Sequence, residues 1–400
     1  MVPQRPTPAE RTTTRTDVEL LHQFSGPDQI AVDALVDGFE RERGVSVTET
    51  TTPKVSLEVK RRLLRERPPD LWVDWPGNTL RPYQRAGVIS DVTELWEASD
   101  MHAKYHEGAT TASRLDGRYY AVPINIHRLN NLFYNVDVLD RAGVRPAEID
   151  TPRELLDALE TVENATGAVG VLFPFKNQWT SYVLQLWEQV LLGQSGVDTH
   201  RSICRSDPEA HRNAIRDAIG LVRDIADYAP DDAVYLSWEE AERRFVDGEG
   251  AFFPQGDWSA SVFHDAPDFE FGTDWDHVPF PGTDGQYVLN MDAIVPAADA
   301  ANPEAARAFL KYAGSIDGQR RFNREKGSIP PRTDVPVDQF PPFLRAQMAA
   351  FTADETEPVQ SMSHGQAIGP ATLVELQGAF STFLLDWDPD DLYARLVDVL

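Results

Sequence analysis

Three carboxylates in this chain, Asp74, Asp257 and Asp292, belong to a residue type that does acid/base chemistry in pairs. Cleavage of a glycosidic bond would need two such carboxyls about 5 Å or about 6.5–9.5 Å apart. Lys326 is one of only six lysines among 37 basic residues, which suggests a specific task for it. Other chemistries lack their residues. The single Cys204 excludes an internal disulfide framework and any CxxC metal knuckle. Nine scattered histidines form no metal-ligand cluster, and Asp274-Trp275-Asp276 lacks calcium-loop spacing. No GxxxxGK[ST], HExxH or GxSxG occurs, and Gly248-Glu249-Gly250 lacks the third glycine of a dinucleotide turn. Nucleotide and metal enzymes therefore fall back, and the chain is expected to carry neither a cofactor nor a metal.

The 400 residues suggest two or three domains at about 150 residues each. A formal charge of −27 would be repelled by a phosphate backbone, so nucleic acid is excluded as a partner. Abundant acid with scarce lysine resembles the proteomes of salt-loving archaea. Molar salt there screens self-repulsion to a Debye length of about 3 Å. The alternative is an ordinary acidic protein from a GC-rich genome, and either way the charge describes the solvent rather than a partner. No apolar stretch approaches the about 18 residues that a bilayer span needs. Residues 1–16, rich in Pro, Thr and Arg, read as a disordered lead. They lack the apolar core of a secretory signal, and no lipobox is present. Either the protein stays inside the cell or a leader lies upstream of Met1.

The elements that must position these side chains follow from periodicity. A strand at 18–24 runs into Ser25-Gly26-Pro27, and Ile30, Leu35, Val36 and Phe39 then mark a helix stopped by Gly44. A strand at 45–48, a helix at 55–67 and a buried strand at 70–75 follow, the last breaking at Pro76-Gly77. This is the βαβ signature of a parallel sheet with helices on both faces. Ligands in such sheets sit beyond the carboxyl ends of the strands, here Phe24-Ser25-Gly26 and Asp74-Trp75-Pro76-Gly77. Further strands are expected at 118–123, 131–135, 250–254 and 287–295. Thr151 with Glu154, and Ser237 with Glu240, read as capping boxes. Asp207-Pro208 opens a helix running to about Ala229.

Seven segments carry a resemblance to a known family. They are Arg67-Pro-Pro-Asp-Leu, Gln84-Arg-Ala-Gly-Val-Ile-Ser-Asp-Val, Tyr120-Ala-Val-Pro, His127-Arg-Leu-Asn-Asn-Leu-Phe-Tyr-Asn, Gly248-Glu-Gly-Ala-Phe-Phe-Pro-Gln-Gly-Asp-Trp, Lys326-Gly-Ser-Ile-Pro-Pro-Arg and Ser363-His-Gly-Gln-Ala. In this order, over residues 18–370, they resemble the family 1 extracellular solute-binding proteins of ABC importers, especially the glucose-binding branch. The resemblance implies a bilobal α/β fold of the type II periplasmic-binding-protein kind, with lobes at 17–124 plus 286–335 and 125–285 plus 336–400. It implies a hinge, a sugar held between the lobes, no enzymatic activity, and delivery to a membrane permease served by a separate ATPase. The implied location is the extracellular face of the membrane.

The resemblance also implies site residues. Trp258 falls where relatives place a stacking indole, Trp238 matches a second wall, and Trp75 a platform from the other lobe. Asp292 and Lys326 match a pair that hydrogen-bonds sugar hydroxyls, and His364 matches a ligand-facing imidazole. Asp74, His127 and Asn130 form a second tier. Relatives often carry adjacent tryptophans after the first strand, where this chain has Gln23-Phe24. Phe24 could still stack, while Gln23 would hydrogen-bond. Glucose is the expected ligand, with room for pentoses, other hexoses or a disaccharide. Two alternatives stay open: an intracellular sugar sensor of the same fold, and a glycoside hydrolase using two of Asp74, Asp257 and Asp292.

Overall fold

The computed structural model describes residues 17–176, 181–205 and 207–400, with Pro27 described by its backbone alone. The lead expected over 1–16 lies outside the described residues. β1 (Asp17–His22), β2 (Ser46–Thr51) and β3 (Leu71–Asp74) are joined by the helices Pro27–Arg43 and Val55–Leu63. β1 pairs in parallel with both β2 and β3, as the βαβ pattern requires. After the hairpin β4 (Arg114–Leu115) and β5 (Arg118–Tyr119) comes β6 (Val122–Pro123), so the single strand expected over 118–123 is two. Side chains alternate between faces along each strand. Leu71 and Val73 enter one core while Trp72 enters another, so helices cover both sides of this first lobe's sheet.

The second lobe is built on a four-stranded sheet of order β11-β8-β10-β9. Its strands are β8 (Asn131–Asn135), β9 (Val169–Val171), β10 (Gly250–Gln255) and β11 (Trp275–Pro279). Leu132 and Phe252 face a helix-rich core that includes Trp187, Trp238 and Trp258. Phe133 and Phe253 face an aromatic core with Phe245, Phe263, Trp275 and Phe343. Both capping boxes form as expected. The helix expected after Asp207-Pro208 runs over Arg212–Ala226, behind a short 3-10 turn.

A small third sheet joins the lobes. β7 (His127–Arg128) and β14 (Glu357–Gln360) flank β12 (Gln286–Asn290). Val288 packs into the second lobe's core, whereas Tyr287 and Leu289 pack into the first lobe's. β13 (Ala293–Pro296) then completes the first lobe's sheet, giving the order β2-β1-β3-β13-β6. The strand expected over 287–295 is therefore broken at Met291-Asp292, where the chain passes from one sheet to the other. Ile124 donates its N–H to the Asp292 carbonyl at 2.9 Å, and Asn125 Oδ1 accepts the Asp292 N–H at 2.6 Å. The break leaves no backbone group of Asp292 unpaired, which burial would penalise. A further crossing lies between Arg332, bridged to Tyr105 of the first lobe, and Val335 in the second lobe's aromatic core.

Candidate functional site

The carboxyl ends of β1 and β3 face the second lobe. Beyond β1, Phe24 is buried edge-on against Phe322, with centroids 5.8 Å apart. Lys326 ends the helix Ile316–Lys326, and its Nζ lies 5.7 Å from the Phe24 ring centroid. That ammonium pairs with Asp28 Oδ1 at 3.0 Å, and the Lys326 side chain is only 4% exposed. A charge removed from water to this extent needs such a partner. Gln23 Nε2 reaches Asp292 Oδ1 at 3.5 Å, and Asn125 Nδ2 donates to Asp292 Oδ2 at 2.8 Å. Burial pushes the Asp292 carboxyl above the usual range, opposed by the nearby Lys326 charge and the Asn125 hydrogen bond.

Beyond β3, Asp74 accepts from Trp72 Nε1 at 3.2 Å and from the Trp75 N–H at 2.9 Å. Burial raises its carboxyl to about 7. These local bonds turn the chain so that Trp75, half-buried, lies against His364 with centroids 5.5 Å apart.

The second lobe answers with Gly256-Asp257-Trp258 at the end of β10. A Cβ at Gly256 would stand 2.3 Å from the Trp258 ring, so only glycine lets the indole fold back over its own backbone. Trp258 then meets His127 edge-on at 5.3 Å and His364 at 5.7 Å. Asp257 accepts the Arg128 N–H at 2.9 Å and binds His127 Nδ1. Asn125 Nδ2 lies 3.1 Å from His127 Nε2, so the partners place the imidazole proton on Nδ1. Burial, with Lys326 and His364 nearby, holds His127 well below the usual imidazole range, and burial lowers His364 to about 4.

Trp75, His364, Trp258 and His127 thus form one row of rings running from the first lobe into the second. Trp238 stands behind it, donating from Nε1 to Ser259 Oγ at 3.4 Å. Asn130 is not brought to this row. Its Nδ2 donates to Thr283 Oγ1 and the Gln286 carbonyl, while its Oδ1 accepts from Arg128 Nε and the Val288 N–H. Its bonding capacity is spent tying β12 to the loop after β7.

Three residues of the site were not expected from the sequence as ligand-facing: Asp28, Asn125 and Glu242. Glu242 sits one turn after Trp238 on the helix Trp238–Val246, and burial raises its carboxyl well above the ordinary range. Among the described residues, Glu242 Oε1, Gln185 Oε1 and Gln255 Nε2 are buried with no hydrogen-bond partner. Such groups are costly unless something pairs them. The i, i+4 spacing of Trp238 and Glu242 was a usable signal. Asp28, in the first turn of its helix, reads as an ordinary charge at a helix N-terminus.

Two cavities lie away from this row. One, of about 420 Å³, is lined by Phe269, Phe271, Trp275 and Phe343. The other, of about 310 Å³, is lined by His106, Arg332 and Met348. Among the described residues, no group of His, Cys, Asp and Glu side chains could hold a metal ion, and no helix is long and apolar enough to cross a membrane.

Comparison with known proteins agrees with this architecture. The bacterial solute receptor AcbH, described as having an exclusive preference for β-D-galactopyranose, superposes with a TM-score of 0.82 at 16% identity, covering 96% of this chain and 97% of its own. A chitin oligosaccharide binding protein gives 0.81 at 17% identity, covering 96% and 97%. In sequence, the chain is 32% identical to the xylose/arabinose-binding protein XacG of Haloferax volcanii, over 91% of this chain and 80% of that protein. It is 26% identical to the ABC transporter extracellular-binding protein PH1214 of Pyrococcus horikoshii, over 99% of this chain and 90% of that one. The model of one family matches residues 34–352, and on that match the chain belongs to the bacterial extracellular solute-binding proteins.

Proposed function

We propose that this protein is the sugar-capturing component of an ABC importer, acting at the extracellular face of the membrane. Lobes at 17–124 plus 286–335 and 125–285 plus 336–400 would close on one monosaccharide and present it to a permease served by a separate ATPase. The observation that carries this reading is the ring row that bridges the lobes, with Asp292 and Lys326 beside it. Trp75 from the first lobe and Trp258 from the second, which both meet His364, would stack on the sugar's C–H surfaces. Lys326, Asp292, Gln23 and the unpaired Oε1 of Glu242 offer donors and acceptors to its hydroxyls.

The motifs of the chain point to glucose, whereas the name of the Haloferax relative points to a pentose. Gln23-Phe24 in place of two tryptophans supports the smaller ligand, because it removes stacking area. We take xylose or arabinose as the first ligands and glucose as the next. Micromolar capture requires about −8 kcal/mol. Over the dozen or so heavy atoms of a monosaccharide this is about −0.7 kcal/mol per atom, within reach only if nearly every hydroxyl is paired. Hydrolysis has less support. Asp74, Asp257 and Asp292 each accept from fixed neighbours within the protein.

The test is a thermal-shift screen in molar KCl against xylose, arabinose, glucose and galactose, followed by calorimetry. A ligand at 100 times its Kd adds about 2.7 kcal/mol of stability. Absence of a shift with every mono- and disaccharide tried would overturn the sugar reading.

A further inference from the structure

Behind the ring row, in the core of the second lobe, is an ion pair that no ligand could touch. Glu188 and His200 are each 1% exposed, and His200 Nε2 lies 2.8 Å from Glu188 Oε1. Both sit on the helical segment Tyr182–Cys204, twelve residues apart. A straight helix rises about 1.5 Å per residue and would separate them by about 18 Å. Gly196, at φ 75° and ψ 174°, breaks the helix and folds its second half back on the first. The backbone is bent so that these two side chains meet.

What the pair holds is the turn between β14 and the ring row. Glu188 Oε1 also accepts the Met362 N–H at 2.5 Å, and Oε2 accepts from Ser361 Oγ at 2.8 Å and from the Ser363 N–H at 3.1 Å. One carboxylate thus fixes three consecutive residues, and the next residue is His364. The His364 N–H donates to Ser361 Oγ at 3.2 Å, and His364 Nδ1 lies 3.1 Å from Ser363 Oγ. We propose that Glu188, with His200 as its counter-charge, is the positioning residue for His364, and that it determines which imidazole nitrogen is offered to the sugar.

The argument is a count of protons. A carboxylate only accepts, so Ser361 must spend its one proton on Glu188. Ser361 and Ser363 hydroxyl oxygens are 2.9 Å apart, and Ser361 has nothing left to donate there. The Ser363 hydroxyl also hydrogen-bonds the Glu188 carboxylate, which only accepts, so Ser363 spends its one proton on that side and accepts from His364. The His364 proton then sits on Nδ1, and Nε2 is left as an acceptor. A sugar hydroxyl meeting Nε2 must be a donor, which is a constraint on the ligand set 188 residues into the chain and away from the ring row. A neutral imidazole without this clamp would sample both tautomers and lose that discrimination.

The affinity arm of the test rests on the sugar reading, whereas the tautomer arm does not. Two-bond 1H–15N correlation spectra of the full chain in molar KCl at pH 7 report the tautomer of each histidine, with His364 assigned by comparison with His364→Gln. The wild type is expected to show His364 protonated at Nδ1. Glu188→Gln puts an amide donor where the carboxylate accepts, and is expected to mix or reverse the tautomer and weaken arabinose or xylose binding tenfold or more. Ser363→Ala leaves the ion pair in place and is expected to mix the tautomer with little change in Tm, which decides the matter should Glu188→Gln fail to fold. A His364 protonated at Nε2 in the wild type, or an unchanged tautomer in the folded variants, overturns the proposal. If no sugar binds the wild type, the sugar reading fails while the spectra still decide the role of Glu188.

Discussion

Trp75 and His364 belong to opposite sides of the hinge, yet their ring centroids are 5.5 Å apart with the planes tilted by 57°. Gly365 takes a φ of 70°, which glycine favours, and a Cβ there would stand 2.9 Å from Leu373 Cδ2, so glycine lets the turn after His364 pack against the helix that carries Leu373. In the closure proposed above, the contact between Trp75 and His364 would be the end point. An importer component must offer its permease a closed form that differs from the open one, and the ligand need only prefer that form by a few kcal/mol.

Trp258→Ala should weaken sugar binding by about 2 kcal/mol or more, the scale of a desolvated aromatic anchor. The indole touches both His127 and His364, so its loss removes a platform and loosens its neighbours. Titration calorimetry with xylose or arabinose reads the effect, and an unchanged Kd would take Trp258 out of the site.

Gly256→Ala should act through the same indole. Overpacking of this kind costs about 1–3 kcal/mol. The displaced ring should lower sugar affinity and shift the tryptophan emission of the free protein. Because both changes act on one ring, Gly256→Ala combined with Trp258→Ala should cost little more affinity than Trp258→Ala alone. Additive losses would mean that Gly256 acts elsewhere.

The parts of this arrangement that the chain discloses are those governed by local rules. The first lobe's alternation of strand and helix, both capping boxes and the strand end at Asp74 follow from period and punctuation, whereas β1 ends at His22, two residues before the expected Phe24. The break at Met291-Asp292 does not, because β12 and β13 are both apolar and only the handover between two sheets separates them. Asn130 was misleading, since an asparagine between strands looks equally available to a ligand or to the backbone. Asp28 and Glu242 are hidden because acids on helices are usually solvated, and their burial comes from packing between distant segments. Glu188 left a trace: it is the one charged residue within the apolar stretch over 182–192.

Lys326→Met should separate stability from recognition. Removing the ammonium leaves Asp28 without its partner, at a cost below the about 3–5 kcal/mol of a fully buried pair, because the Asp28 side chain is 15% exposed and lies in the first turn of its helix. Asp28→Asn in the same chain should recover part of that stability but none of the sugar affinity, because the ammonium donors remain absent. Urea unfolding of the free protein, run beside calorimetry with arabinose, reads both. Full recovery of affinity in the double variant would show that Lys326 serves only the ion pair.

The Glu188–His200 pair predicts a pH profile of stability for the ligand-free protein. Hydrogen bonds from His200, Met362 and Ser363 overcome burial and hold the Glu188 carboxyl down at about 2, from 4.5. Against the same burial, Cys204 and Glu188 raise the His200 imidazole to about 10, from 6.5. A depressed carboxylate stabilises the fold above its unfolded value, and that gain disappears as the pH falls from about 4.5 towards 2. A raised imidazole stabilises below its unfolded value, and that gain disappears as the pH rises from about 6.5 towards 10. Asp74, raised to about 7, adds a loss of its own between about 3.8 and 7 because the folded state prefers its protonated form. Comparing the wild type with His200→Gln cancels the Asp74 contribution, since both proteins carry it. Chemical denaturation at fixed salt between pH 6.5 and 9.5 should therefore show the wild type losing stability faster than His200→Gln, with the curves converging towards the alkaline end. Parallel curves would mean that His200 is uncharged in the folded protein and that Glu188 holds its turn without a counter-charge.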